Sequence, residues 1–227
     1  MGCFLTNSSL GRKLVMSISG CFLVLFLLFH MAMNVVALIS GEAYNMICGF
    51  LGANWYALVG TAVLALGVLV HFVYAFILTY QNRKARGNVR YAVTVTEKGV
   101  SWASKNMLLL GVIVVLGLLL HLCHFWYKMQ LQELIAGING EELHVAGAAL
   151  VQGLFANNWY CIVYIIWMVA LWFHLSHGIW SSMQSIGWNN LKWMPRLKCI
   201  SNIYATIVCG LFAFIPVYYL ICNIFAC

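Results

Sequence analysis

Long apolar stretches alternate with short polar segments along the chain. Five of them are long enough, at about 1.5 Å of rise per helical residue, to cross a hydrocarbon layer of about 30 Å. The pattern predicts five membrane-spanning helices, at residues 14–39, 55–80, 105–128, 158–183 and 201–225. Lipid offers the backbone no hydrogen-bond partners, so each span should satisfy its own polar groups as a helix. We expect an all-α bundle forming one domain, 1–227, with Pro195 in a polar loop before the fifth span.

The composition strengthens this interpretation. Of the 227 residues, 64% are hydrophobic and only 7% are charged, whereas about a quarter of the residues in an ordinary soluble domain are charged. A soluble globule of this length needs more polar surface than that. The composition excludes a water-soluble enzyme and gives no support for nucleic-acid binding.

The basic residues predict the orientation. If the N-terminus is cytoplasmic, eleven of the twelve Lys and Arg residues fall on the inner side and only Lys128 falls outside. The inner residues are Arg12, Lys13, Arg83, Lys84, Arg86, Arg90, Lys98, Lys105, Lys192, Arg196 and Lys198. The acidic residues divide the other way, with Glu97 inside and the remaining four outside. The positive-inside rule therefore predicts a cytoplasmic N-terminus and an outer C-terminus.

Six of the seven histidines lie within the predicted spans, where an ionisable side chain is costly and needs a reason. They are His30, His71, His121, His124, His174 and His177. A single one of them could simply hydrogen-bond a neighbouring helix. As a set they are regular, because the first histidine of spans one to four lies sixteen residues after the predicted start of its span.

Because successive spans run in opposite directions, this spacing places His30 and His121 at one depth and His71 and His174 at another. Two neutral imidazoles at one depth can hold a haem iron from both faces and leave no coordination position open. The two levels would differ by roughly 10 Å along the membrane normal. The spacing thus indicates two haem b groups that carry electrons across the bilayer.

Small residues one turn from a ligand would let a flat macrocycle approach a helix closely. Gly67 and Gly117 precede His71 and His121 by four positions, and Ala170 and Gly178 flank His174 in the same way. This favours His121 and His174 over the alternates His124 and His177. Further candidates, for haem propionate contacts, are Arg12, Lys13, Ser17 and Lys192, which serve equally well as orientation signals or helix-end residues.

Five sequence blocks carry a resemblance to a known family: SSLGRKLVMSISG, LFHMAMN, VHFVYAFIL, LLHLCHFW and FHLSHGIWSSMQSIGWNN. Together they resemble the diheme cytochrome b membrane anchor of succinate dehydrogenase and fumarate reductase, of the type with five helices in one polypeptide. The likeness extends from about residue 8 to the end of the chain. Its most specific parts are His30 with Asn34, and the block from Phe173 to Ser182.

The resemblance implies that His30 and His121 hold a distal haem and that His71 and His174 hold a proximal one. It implies a FAD flavoprotein and an iron–sulfur subunit as partners on the cytoplasmic side of a bacterial membrane, with menaquinone as the quinone. The whole complex could also dimerise. Such a chain transfers electrons and has no dicarboxylate chemistry of its own. Glu42 is a candidate quinone-site carboxylate, and Trp172 stands where some relatives carry a proton-conducting Glu.

Other functions remain as alternatives. The bis-His subunits of nitrate reductase and formate dehydrogenase also use four histidines, but their ligands are distributed differently over the spans. A transporter with a histidine-lined proton path would be expected to carry intramembrane carboxylates and broken helices, which the sequence does not suggest. A membrane anchor without haem is the third alternative.

Overall fold

The structure, a computed structural model, describes residues 8–52, 54–87 and 101–225. This part of the chain is helical and contains no strand, so the predicted all-α fold is confirmed. Arg90, Glu97 and Lys98, which entered the orientation argument, lie outside the described residues. The helices are α1 (Ser9–Val35), α2 (Gly41–Phe50), α3 (Trp55–Arg86), α4 (Trp102–Lys105), α5 (Met107–His121), α6 (Gln130–Ile138), α7 (Gly147–Phe155), α8 (Asn158–Ile186) and α9 (Trp193–Phe225).

Five segments are long and apolar enough to cross a membrane, as predicted. They are Ser9–Leu38, Trp55–Arg86, Met107–Trp126, Asn158–Ile186 and Trp193–Phe225. The first is α1 extended by a 3₁₀ turn, Val36–Leu38, and the third is α5 extended by a π-helical segment, Leu122–Trp126. The chain is a multi-pass membrane protein.

The fifth helix begins earlier than predicted, at Trp193 instead of 201. The prediction that Pro195 lies in a loop is wrong, because it occupies the first turn of α9. A proline is tolerated there, since the first N–H groups of a helix have no partner within the helix. The Asn190 side chain supplies an external partner, its Oδ1 accepting from the backbone N–H groups of Trp193 at 2.7 Å and Lys192 at 3.1 Å.

Helix α8 lies at the centre of the bundle and packs against α1, α5 and α9, whereas α3 packs mainly on α1. The buried residues Met168, Leu171 and Leu175 of α8 meet Ala205 and Cys209 of α9. Small side chains on α9 let the two helices approach closely, as is common where lipid gives helices no hydrophobic reason to associate. Histidines on α1, α3 and α5 are thereby brought around one central helix.

The segments predicted as polar loops at one end of the bundle contain the short helices α2, α6 and α7. We call this the short-helix end and the opposite one, where α3 finishes with Arg83, Lys84 and Arg86 in its last turn, the basic end. At the short-helix end, Tyr44 of α2 joins Val151 and Phe155 of α7 and Tyr164 of α8 in one buried cluster. These segments are therefore part of the packed bundle.

Candidate functional site

The first histidine pair joins α1 to the end of α5. The ring centres of His30 and His121 lie 5.8 Å apart, with the ring planes at 85°. Aromatic side chains enclose the pair: Phe26 stacks on His30, Phe212 of α9 lies 5.6 Å from it, and Trp167 of α8 lies 5.8 Å from His121. Two imidazoles from different helices thus meet inside an aromatic shell.

The second pair joins α3 to α8. The ring centres of His71 and His174 lie 6.3 Å apart, with the ring planes at 67°. The backbone comes close to both rings: a Cβ added to Gly20 would lie 3.3 Å from His71, and one added to Gly111 would lie 3.7 Å from His174. The sequence analysis did not single out these two glycines, because only the fold shows which ring each faces.

These are the two pairs that the sequence predicts from equal depth in the membrane. Both ring-centre separations are those of ordinary aromatic contacts. Two neutral imidazoles from different helices would suit a metal ion as ligands.

Hydrogen bonding orients His71. Ser19, itself buried, donates its hydroxyl to the Met16 carbonyl at 3.0 Å, so its oxygen is available to accept from Nδ1–H of His71, 3.4 Å away. In that tautomer Nε2 keeps its lone pair. Metal-binding histidines commonly donate the N–H of their second ring nitrogen to a hydrogen-bond acceptor of the protein. The buried Nδ1 of His174 has no hydrogen-bond partner among the described residues.

His30 lies at one end of a polar chain that leads to α2. The Tyr44 hydroxyl donates to Oδ1 of Asn34 at 3.1 Å, and Nδ2 of Asn34 donates to the His30 carbonyl at 2.8 Å and lies 3.3 Å from its Nδ1. Burial, and then the neighbouring Cys48, raise the pKa of the Tyr44 hydroxyl. Tyr44 therefore stays protonated and remains a donor, which fixes α2 to α1 beside the first pair.

The alternate histidine His124 faces elsewhere. It lies in the π-helical segment, where Tyr127 N–H bonds the Leu122 carbonyl at 2.8 Å. A π turn holds more residues than an α turn, so each residue turns through a smaller angle and His124 lies further from the face of the helix that carries His121. Nδ1 of His124 consequently lies 3.1 Å from the Tyr164 hydroxyl of α8. The geometry favours His121 as the partner of His30.

His177, the other alternate, packs edge-on against Trp180, with ring centres 4.7 Å apart. Its Nδ1 is buried and has no hydrogen-bond partner among the described residues. His174, one turn earlier on α8, is the histidine that meets His71. The seventh histidine, His144, is exposed in the segment before α7.

The propionate candidates occupy different environments at the basic end. Ser17 is buried, with 4% of its surface exposed, and Arg12 is half-buried. The buried Nε of Arg12 has no hydrogen-bond partner in the described part of the chain. Lys13 and Lys192 are exposed. Of these four residues, Arg12 is the one that is half-buried and whose Nε–H has no partner among the described residues.

Two of the glycines were expected to admit a macrocycle, but each of them contacts an aromatic side chain instead. A Cβ at Gly67 would meet the Phe22 ring of α1 at 2.7 Å, and one at Gly117 would overlap the Trp167 ring of α8. Trp167 is fixed in place by the bond from its Nε1 to the Val114 carbonyl, 3.1 Å long. These glycines therefore serve helix packing, and the glycines next to the histidine rings are Gly20 and Gly111.

Glu42, the candidate quinone-site acid, lies exposed in the first turn of α2. Among the described residues, the buried carboxylate is Glu133 of α6, 8% exposed, whose Oε1 accepts from Val145 N–H at 3.0 Å. Oε2 faces Gly52, where an added Cβ would overlap it. The amphipathic pattern of α6 was the signal that could have revealed this inward-facing acid.

Gln130, one turn before Glu133, connects three segments. Its Oε1 accepts from Thr61 of α3 at 2.8 Å and from Nε1 of Trp126 at 2.9 Å, and its Nε2 donates to the Gly52 carbonyl at 3.0 Å. Together with Glu133, this residue binds α6 to the start of α3. Gln130 and Glu133 thus connect α6 to the neighbouring segments of the short-helix end.

In the described part of the chain, no three His, Cys, Asp or Glu side chains lie close enough together to hold a metal ion. Each histidine pair supplies two ligands and would suit a metal whose other ligands come from a macrocycle. Comparison of the chain with family models, curated proteins and solved structures gave no match.

Proposed function

We propose that this chain is the membrane-anchoring cytochrome b subunit of a bacterial succinate dehydrogenase or fumarate reductase. It passes electrons between an iron–sulfur subunit and menaquinone in the cytoplasmic membrane. The observation that carries the proposal is the meeting of four intramembrane histidines in two cross-helix pairs with ring centres 5.8 and 6.3 Å apart. The sequence resemblance supports the choice of complex.

In this proposal His30 and His121 hold one haem b, and His71 and His174 hold the other. When bound, haem b with two imidazole ligands supplies one-electron transfer with no open coordination position. The protein sets the protonation and orientation of the imidazoles. Ser19 accepts from His71, and the chain from Tyr44 through Asn34 fixes the position of His30. Arg12, with its unused buried Nε, is the best placed of the residues proposed to contact a propionate.

Apolar side chains or close backbone border both pairs, whose rings are half-buried. Phe26, Phe212 and Trp167 surround the first pair, and the glycine surfaces of α1 and α5 lie against the second. Low solvent access favours the neutral imidazole, which is the form that binds a metal. In the proposed function, this packing would keep the four imidazoles neutral and able to bind a metal.

The basic end is the proposed docking side for the catalytic subunits. Arg83, Lys84 and Arg86 end α3, and Arg196 and Lys198 lie in the first turns of α9. Arg196 and Lys198 also lie over the rings of Trp193 and Trp180, respectively. A cationic surface whose charged groups lie over aromatic rings would suit contact with a cytoplasmic subunit at the membrane. This placement agrees with the predicted orientation.

One observation favours a second candidate, a membrane anchor without haem. Phe22 and Trp167 contact Gly67 and Gly117, where a bound macrocycle was expected to approach. In that case the histidine pairs would serve only as polar contacts between helices. Aromatic side chains can change rotamer when a cofactor binds, so these contacts do not separate the two functions. The haem content of the purified protein separates them.

The deciding experiment is to purify the chain with the subunits that accompany it and to measure haem by the pyridine haemochrome method. Two haem b per polypeptide, together with succinate-to-quinone activity of the complex, would support the proposed function. A preparation with no haem and a featureless reduced-minus-oxidised spectrum would identify a structural anchor. Two haems with nitrate or formate activity would point to the other bis-His oxidoreductases.

A further inference from the structure

A small cavity lies at the basic end, in the turn between α8 and α9. It has a volume of about 280 Å³ and is lined by Gly187, Trp188, Asn190 and Trp193. The rings of Trp188 and Trp193 flank it, with centres 6.3 Å apart and planes at 42°. The cavity is slightly smaller than the pockets of about 300–1,000 Å³ that hold whole small molecules, so it suits the headgroup of a larger ligand.

The turn that forms the cavity has a well-defined shape. Gly187 ends α8 in the left-handed region, at a φ of 111°, and the N–H of Trp188 donates to the Met183 carbonyl at 3.0 Å. Glycine is favoured at such a helix end. On the other side of the turn, Oδ1 of Asn190 accepts from the N–H of Trp193 at 2.7 Å. Because Asn190 already satisfies the start of α9, an anion in the cavity would be bound by side chains.

Arg196 supplies positive charge beside the cavity. Its guanidinium lies over the Trp193 ring, 5.4 Å from the ring centre. Stacking uses the face of a guanidinium and leaves its N–H groups, which lie in the plane, free to bind an anion. The acidic residues of the described ranges all lie at the short-helix end, in α2, in α6 and between α6 and α7. Within these ranges, no carboxylate is therefore placed to neutralise Arg196.

Arg196 begins a row of exposed side chains along α9. Ile200, Ile203 and Ile207 follow it at helical spacing and are each more than half exposed, whereas Leu197 is buried on the inward face. We call these three residues the isoleucine row. Eleven residues of helix rise about 16 Å, close to half of a hydrocarbon layer of about 30 Å. The row therefore leads from the charged group at the membrane surface towards the middle of the bilayer.

We propose that the cavity and the isoleucine row bind one acidic phospholipid of the leaflet at the basic end. Its phosphate lies between Trp188 and Arg196, and an acyl chain lies along the row. Basic groups attract acidic headgroups at a membrane surface, and indoles commonly lie at headgroup level. A free anion would gain nothing from the row, and a subunit outside the membrane would not cover it. The site does not depend on the proposed haems.

Arg196→Gln is the sharpest variant, because it removes the charge at an exposed position and leaves the isoleucine row intact. Lys198→Gln is the matched control. Lys198 is also exposed near the start of α9 and also lies over an indole, 4.8 Å from the centre of Trp180. Two positions along a helix amount to a rotation of about 200°, so Lys198 lies on a different face from Arg196. Trp188→Leu tests the cavity wall without changing the charge.

The experiment is titration of the detergent-solubilised protein, together with any subunits that copurify, with dioleoylphosphatidylglycerol or dioleoylphosphatidylcholine. Native mass spectrometry counts the bound lipids. We expect one phosphatidylglycerol to bind at least about tenfold more tightly than phosphatidylcholine. Arg196→Gln should lose this preference, Trp188→Leu should weaken it and Lys198→Gln should keep it. Equal affinity for the two lipids in the wild type, or an unchanged preference in Arg196→Gln, would overturn the proposal. Trp188→Leu provides the test if Arg196→Gln does not assemble.

Two further measurements separate the alternative ligands. An excess of inorganic phosphate should not displace the bound lipid, and displacement would identify a site for a free anion. A phosphatidylglycerol with a diazirine in its acyl chain should label residues 200–207 in the wild type and not in Arg196→Gln. Labelling spread evenly over the lipid-exposed faces of both proteins would indicate nonspecific lipid and reject the site. Loss of copurifying subunits from Arg196→Gln, with lipid binding unchanged, would assign Arg196 to protein docking instead.

Discussion

His30 of α1 and His121 of α5 meet almost at right angles, with ring centres 5.8 Å apart and ring planes at 85°. The helices that carry them are not neighbours in sequence, and both lean on α8. Because the two histidines come from separate helices, the metal site that we propose for them depends on the assembled bundle.

Replacing either member of a pair should remove one haem and leave the other, because each iron loses half of its axial ligation. We expect His30→Ala and His121→Ala to eliminate one low-spin signal, and His71→Ala and His174→Ala to eliminate the other. Electron paramagnetic resonance and haem quantification on the purified complex measure this. His144→Ala is the control, since His144 is exposed outside the spans. Retention of both signals in any pair variant would disprove the ligand assignment.

Ser19→Ala should weaken one haem site selectively. The hydroxyl accepts from Nδ1 of His71, and loss of such a partner commonly costs about 10–100-fold in metal affinity. Haem retention during dilution and the midpoint potentials of both centres provide the readout. Ser176→Ala is a matched control, because Ser176 bonds the Phe173 carbonyl of its own helix. Equal behaviour of the two variants would remove Ser19 from the site.

Glu133→Ala should destabilise the short-helix end. The carboxylate is buried and accepts from Val145 N–H, so its removal leaves that donor unpaired at a cost of about 1–3 kcal/mol. Hydrogen exchange at residues 143–147 and the thermal midpoint in detergent measure the effect. Glu133→Gln keeps an acceptor oxygen and should lose less, and Glu142→Ala at an exposed position should change neither readout.

The orientation rests on the eleven-to-one division of Lys and Arg. An alkaline phosphatase reporter fused after residue 227 should be active, and one inserted between residues 81 and 104 should be inactive. Green fluorescent protein at the same two positions should give the opposite pattern. Phosphatase activity only in the 81–104 insertion would place the proposed docking side outside the cell.

Turnover should move charge across the membrane if quinone reacts at the short-helix end and the dicarboxylate at the basic end. Trp172, which the sequence resemblance aligns with a proton-conducting Glu of some diheme fumarate reductases, donates to Thr206 of α9 at 3.0 Å. We expect fumarate reduction by menaquinol to generate a potential and succinate oxidation to consume it. A voltage-sensitive dye in tight proteoliposomes tests this, with uncoupler as control. Turnover without a voltage change would reject the mechanism.

The sequence was sufficient to predict the elements that depend on long apolar runs. The five spans and the pairing of His30 with His121 and of His71 with His174 follow from helix length and alternating direction. Side-chain contacts between helices other than these pairs were not predicted. Gly117 beside a histidine was expected to admit a cofactor, but the indole of Trp167 comes from another part of the chain. The burial of Glu133 likewise depends on α6 folding back onto the bundle.

The π-helical segment, Leu122–Trp126, amounts to one extra residue in a helical turn. Deleting a single residue there would restore regular α-helical hydrogen bonding, and the residues beyond the turn would keep nearly their present orientation because the wide turn is what absorbs the extra residue. Gln130 would stay near Thr61, whereas the side chains within the turn itself, including His124, would face a different direction. A single-codon deletion could therefore change the neighbours of His124 without altering any of the four paired histidines. Between related chains, insertions and deletions in this turn would be a route by which the environment of His124 diverges while the histidine pairs are kept.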